Sequence, residues 1–83
     1  MAGYQHFGVV GAGAWGTALA AALRRAGRDA TLWSYDAESA ESINARHENV
    51  RFLPGIALDP AIKAARDPGA LAAADVLLLA TPA

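Results

Sequence analysis

Three glycines at Gly11, Gly13 and Gly16 constrain this chain more than any other feature. They follow the short apolar run His6 to Val10, which predicts a strand. They precede an alanine-rich stretch whose apolar residues repeat at helical spacing, which predicts a helix from Ala14 to Ala26. A strand, a tight turn and a helix with no side chain capping its start leave backbone N–H groups and the positive end of the helix dipole facing outwards. That arrangement suits a phosphate. In this spacing Gly11 permits the turn, Gly13 lets the backbone approach a pyrophosphate, and Gly16 lets helix and strand pack closely. The same spacing arises by chance in a chain rich in Ala and Gly, but its place between strand and helix is the context a dinucleotide cradle needs.

The remaining chain repeats the alternation. Arg24 and Arg25 oppose the dipole in the helix's last turn, and Gly27 is placed to cap it. Trp15, Ala18, Leu19, Ala22 and Leu23 form its expected buried stripe. Asp29–Tyr35 reads as a second strand, with Ala30, Leu32 and Ser34 on one face. Asp36 is the expected cap of a helix from Ala37 to Arg46 that buries Ala37, Ala40, Ile43 and Ala45. His47–Asp59 reads as a loop, Ile62–Arg66 as a short third strand, and Asp67-Pro68 as the start of a third helix reaching Ala74. Val76 to Ala80 is a continuous apolar run of the kind buried on both faces of a parallel sheet. The order predicts an α/β fold, a Rossmann-type doubly wound parallel sheet. Ligands on such sheets bind at the carboxyl ends of the strands, so Gly11–Gly16, Ser34–Asp36 and Thr81–Ala83 are expected to share one crevice.

Composition removes several other chemistries. The 83 residues allow one small domain. Seven basic and eight acidic residues leave nothing to attract nucleic acid or an anionic membrane. Without cysteine there is no disulfide, thiol nucleophile or thiolate metal site, and His6 and His47 alone suggest no metal centre. The uncharged run at 7–23 lacks a preceding basic residue and is broken by glycines, so it reads as part of a soluble, intracellular protein rather than a leader or a span. Ending straight after a strand of buried type, the chain is expected to be the front part of a longer protein.

Around the glycines, Trp15 has two readings of equal weight, a core residue or a wall beside the cofactor. Asp36 lies at the distance from Gly16 at which an acid binds a ribose 2′-OH, yet it also reads as the helix cap. Ser34 leaves room for a 2′-phosphate, but no arginine partner stands nearby in sequence, so NAD and NADP remain open. Tyr35 is either a stacking partner for adenine or an ordinary edge residue. Lys63, His47 and Arg51 read as structural or surface residues.

Three blocks, Gly11-Ala-Gly-Ala-Trp-Gly-Thr-Ala-Leu-Ala20, Thr31-Leu-Trp33 and His47-Glu-Asn-Val-Arg-Phe-Leu-Pro-Gly55, followed by Ala80-Thr-Pro82, resemble the N-terminal part of NAD(P)-dependent glycerol-3-phosphate dehydrogenases. The resemblance spans essentially all 83 residues, and Trp33 with the Phe52-Leu-Pro-Gly55 block separates this family from other dehydrogenases. It implies that residues 1–83 are the N-terminal part of a dinucleotide-binding domain, with an all-helical substrate domain outside them. It also implies a cytoplasmic homodimer that reduces dihydroxyacetone phosphate to glycerol 3-phosphate for phospholipid synthesis. The cofactor, NAD or NADP, is then expected at Gly11, Ala12, Gly13, Ala14, Trp15, Gly16, Tyr35 and Phe52. The family's catalytic lysine lies beyond residue 83, and Lys63 does not match it. Two alternatives share the architecture: another dehydrogenase of hydroxyacyl-CoA or ketopantoate type, and a non-catalytic nucleotide-binding module.

Overall fold

The structure is a computed structural model that describes residues 5–80. The elements are β1 (His6–Val10), α1 (Ala14–Arg25), β2 (Asp29–Trp33), α2 (Ala37–Arg46), β3 (Lys63–Ala65), a 3-10 turn (Pro68–Leu71) and β4 (Val76–Leu79). All strand pairs are parallel and the sheet order is β3-β2-β1-β4. The chain first winds outward from β1, then jumps back to place β4 on its other side. That reversal leaves a crevice at the carboxyl ends of β1 and β4, as expected of a doubly wound sheet.

Strand register separates the two faces of the sheet. Val9 lies beside Leu32 and Leu78, and Leu32 lies beside Ala64. With Ala20 of α1, Ala40 and Ile43 of α2, and Leu58 and Ile62 of the loop before β3, Val9, Leu32 and Ala64 form the core. Among the described residues only four large aliphatic side chains, Val9, Leu32, Ile43 and Ile62, are fully buried. Each contributes about 1.5–3 kcal/mol. So small a core makes the polar ties at its edges important. Three of the seven largest fully buried side chains are polar: Asn49, Thr17 and Ser39.

The opposite face carries Gly8, Leu77 and Leu79. Here β4 departs from expectation. Its residues alternate, with Val76 and Leu78 half-buried and Leu77 and Leu79 exposed. The strand is the last in the described sheet, and on this face the short turn carrying Leu71 packs against β2 and near Gly8 of β1. That turn stands where a longer helix was expected. Asp67 caps it by accepting a hydrogen bond from the Gly69 amide at 3.0 Å. The chain then continues with bonds from Ala72 to Gly69 and from Ala74 to Leu71, the tighter i to i+3 pattern.

In α1 the buried stripe is rotated from the expected one. Gly16, Thr17 and Ala20 are buried, while Trp15 and Ala22 are exposed. Gly16 sits against the Gly11 carbonyl, and that contact sets the rotation of the helix. The helix ends in a Schellman motif, with Gly27 at φ 81°, its amide on the Arg24 carbonyl and the Arg28 amide on the Leu23 carbonyl. The Arg24 guanidinium bonds Asp29 at 2.8 Å and Asp59 at 3.1 Å, tying the helix end to β2 and to the loop before β3. In α2, Ser39, Ala40 and Ile43 are buried, whereas Ala37 and Ala45 are exposed. β2 stops at Trp33, two residues earlier than expected, because the Ser34 side chain turns back onto Asp36. β3 is likewise trimmed to three residues. Its open edge is sealed by Asn44, whose side chain bonds both the amide and the carbonyl of Ala64 at 2.8 Å.

Asp75 joins β4 to the start of β1. Its carboxylate accepts from the Gln5 and His6 amides, each at 3.0 Å, and its own amide donates to the His6 carbonyl. The two amides, that of His6 first, hold its pKa below the ordinary 3.8. A folded-state pKa below the unfolded value stabilises above pH 3.8, and that contribution is lost as the pH falls towards the folded value. The thermal midpoint of Asp75→Ala is therefore expected below wild type at pH 7, with the gap closing under acid. A gap that does not change between pH 7 and pH 2 would exclude this role.

Candidate functional site

The glycine turn and the start of α1 form the floor of the site. Gly11 adopts φ 113°, which a side chain disfavours, and its amide bonds the Trp33 carbonyl at the end of β2. Gly13 caps α1 with no side-chain hydrogen bond, and the first turn carries no acidic residue. The first helical amide bond runs from Thr17 to the Gly13 carbonyl, so the amides before Thr17 are left to whatever lies in front of the helix.

A crevice of about 260 Å³ opens there, lined by Gly11, Ala12, Gly13, Ala14, Trp15, Ser34, Tyr35, Asp36, Phe52 and Ala80. Seven of the eight residues expected from the sequence line it. The eighth, Gly16, is buried behind Gly11 and shapes the floor without facing the crevice. Trp15 is two-thirds exposed and lines the crevice, so it is not a core residue. Tyr35 is also exposed, with its ring 6.2 Å from that of Trp33 in a tilted arrangement. Of the third stretch expected at this edge, Thr81–Ala83 lies outside the described residues, while Ala80 lines the crevice. A larger, open hollow of about 570 Å³ flanks α2, but it contains none of the glycine-turn residues.

Side chains from other parts of the chain hold this floor. Asn49, fully buried, donates from Nδ2 to the Ala12 carbonyl at 2.8 Å and to Thr17 Oγ1 at 2.9 Å. Its Oδ1 accepts from the Phe52 amide at 3.1 Å. One side chain thus ties the 47–55 loop to the glycine turn and sets Phe52 at the crevice. Its role was not read from the sequence, where the signal was an Asn three residues before Phe in a loop and the contact spans 37 positions. Asp36 caps α2 in position, yet its carboxylate serves side chains: it accepts from Ser39 Oγ at 2.6 Å and Arg51 Nη1 at 3.0 Å. The Ser39 hydrogen bond and the Arg51 charge hold its pKa below the usual value. Arg51, read from sequence as a plain surface residue, lines the hollow beside α2 and reaches Asp36 from there. Of the remaining candidates, Lys63 is exposed at the head of β3, and His47 ends α2 in the left-handed conformation at φ 55°.

A floor of backbone amides, an apolar wall and an acid after the second strand meet at this crevice. Comparison with known sequences places the chain in a family. The family model described as NAD-dependent glycerol-3-phosphate dehydrogenase N-terminus matches residues 6–83. This chain belongs to that family. It is 51% identical over 83 residues to the glycerol-3-phosphate dehydrogenase [NAD(P)+] of Maricaulis maris, covering 100% of this chain and 25% of that protein. It is 55% identical over 76 residues to the Paramagnetospirillum magneticum enzyme of the same name, covering 92% and 28%. The crystal structure of glycerol-3-phosphate dehydrogenase from Coxiella burnetii superposes on 92% of the chain with TM-score 0.83 and 35% identity, using 24% of its own length. The Saccharomyces cerevisiae enzyme gives TM-score 0.83 at 27% identity over 96% of the chain and 27% of its own. The Rossmann-type fold is therefore that of the family, and the chain spans about a quarter of the length of these relatives.

Proposed function

We propose that this chain is the cofactor-holding part of an NAD(P)-dependent glycerol-3-phosphate dehydrogenase, the oxidoreductase that interconverts dihydroxyacetone phosphate and glycerol 3-phosphate. The carrying observation is the uncapped start of α1 facing an apolar crevice at the point where the sheet reverses. A Cβ built on Gly13 meets nothing within 4 Å, so space for a ligand lies directly over the turn. The residues present thus fit a dinucleotide. The turn at Gly11–Gly13 and the free amides at the start of α1, as far as Trp15, would hold its pyrophosphate, and Tyr35 and Phe52 would bound the adenosine end. When bound, the cofactor supplies a hydride to the ketone carbon. These residues position it and limit access of water. The proton donor and the phosphate grip on the substrate belong to a helical domain outside residues 1–83. A cytoplasmic homodimer serving phospholipid synthesis fits the same reading.

Gly13→Ala separates holding the cofactor from holding the fold. Gly13 has φ −76°, which alanine adopts freely, and its surroundings have room. The expected stability loss is about 1 kcal/mol or less, the difference between glycine and alanine at a helix cap. The expected loss in NADH affinity is about tenfold or more, because the new methyl occupies the volume of the pyrophosphate. Quenching of Trp15 and Trp33 fluorescence during NADH titration measures it. Equal affinity in both proteins, or no binding to folded wild type, rejects the assignment. Residues 1–83 by themselves are expected to turn over no dihydroxyacetone phosphate.

A further inference from the structure

Three charged side chains meet where β2 ends. Arg51 Nη1 bonds Asp36 at 3.0 Å and lies 4.0 Å from Glu38 Oε1. The guanidinium carbon stands 5.0 Å from the centre of the Phe52 ring. Asp36 and Phe52 both line the crevice, and the guanidinium that contacts both of them belongs to the lining of the neighbouring hollow beside α2. Among the described residues Nη1 makes all of its polar contacts, and Nε and Nη2 have no protein partner. A carboxylate at this point of a dinucleotide fold accepts the ribose 2′-OH and repels a 2′-phosphate. Here that carboxylate already accepts from Ser39 and is matched in charge by Arg51. Ser34, the small residue beside it, turns its hydroxyl onto the Asp36 backbone and away from any ligand.

We propose that Arg51, braced by Asp36 and Phe52, is the residue that receives the 2′-phosphate of NADPH where this crevice meets the hollow beside α2. The assignment rests on the dinucleotide reading above. A guanidinium offers paired donors that suit a phosphate, and stacking on an aromatic ring fixes its plane. About half of the Arg51 side chain is exposed, so solvent moderates the effect.

The test is titration of NADH and NADPH against the full protein that carries these residues, as wild type, Arg51→Gln and Arg51→Lys. Arg51→Gln is expected to weaken NADPH about tenfold and NADH by no more than about twofold, the scale of one screened charge-assisted contact. Arg51→Lys keeps the charge and is expected to restore part of the NADPH affinity. The NADPH advantage of wild type over Arg51→Gln is expected to shrink as salt rises. Equal weakening of both cofactors, or no change in either, overturns the proposal while leaving the dinucleotide site intact. Selective loss on Arg66→Gln in place of Arg51→Gln also overturns it, since Arg66 bonds the Tyr35 carbonyl nearby. If folded wild type binds neither cofactor, the site reading fails and this assignment with it.

Discussion

Gly16→Ala is expected to lose about 3 kcal/mol of stability or more, the upper range for forcing extra atoms into a packed interior. The added Cβ would be driven into the Gly11 carbonyl oxygen, well inside van der Waals contact. That oxygen belongs to backbone, in a turn held at φ 113° and pinned by its amide to the Trp33 carbonyl, so it cannot rotate away as a side chain would. Relief requires α1 to lift from β1. Thr17 and Ala20, which follow Gly16 on the buried stripe, would lift with it. A domain of this size has about 5 kcal/mol or a little more to lose, so the variant should be largely unfolded at 37 °C. Denaturant unfolding followed by circular dichroism measures the loss. A Gly16→Ala protein within about 1 kcal/mol of wild type would show that the helix is not seated as described. The contrast with Gly13→Ala matters: three residues apart, one glycine is fixed by the fold and the other only by what the fold holds.

The elements were legible in the sequence wherever a local rule acted alone. His6–Val10, Ala14–Arg25 and Ala37–Arg46 formed where apolar runs, helix formers and caps agreed. The expected third helix failed on a local conflict. Asp67, Pro68 and Gly69 favour a capped tight turn, and no strong helical stripe follows to extend it. β4 failed for another reason. Val76–Leu79 has a composition suited to burial on both faces, but burial depends on what lies opposite, and four apolar residues in a row say nothing of that. The rotation of α1 was hidden in the same way. Helical spacing marked Trp15, Ala18, Leu19, Ala22 and Leu23 as one stripe, yet the close approach at Gly16 decides which side faces the sheet.

The site divides along the same line. The glycine turn and Trp15, Tyr35 and Phe52 could be named because their signals are local or belong to a family pattern. The convergence of the glycine turn and Tyr35 on one crevice followed from strand order, whereas Phe52 is brought there by the 47–55 loop. What stayed hidden was support from distant residues. Asp36 and Arg51 stand 15 positions apart, and only the path of the 47–55 loop makes them neighbours. The same loop carries the side chain on which the floor depends most.

Asn49→Ala is expected to cost about 2–4 kcal/mol and to weaken dinucleotide binding beyond that loss. Truncation removes two donors and one acceptor from a fully buried position. It leaves the Ala12 carbonyl and the Phe52 amide short of partners, and each buried polar group so stranded costs about 1–3 kcal/mol. Thr17 Oγ1, 3.5 Å from the Ala12 oxygen, is too distant to make up the deficit fully. Asn49→Asp tests the direction of the bonds with the shape kept. An ionised carboxylate still accepts from Phe52 but cannot donate, and it would set an oxygen against the Ala12 carbonyl at a distance now bridged by a hydrogen. Its stability at pH 7 is therefore expected to fall at least as far as that of the alanine variant, and to recover in part as acid protonates the carboxyl. With the loop released, Phe52 leaves the crevice, so both variants should bind NADH more weakly even under conditions where they are folded. An Asn49→Asp protein as stable as wild type at pH 7 would mean that the loop is held by its apolar contacts and that Asn49 is not the latch.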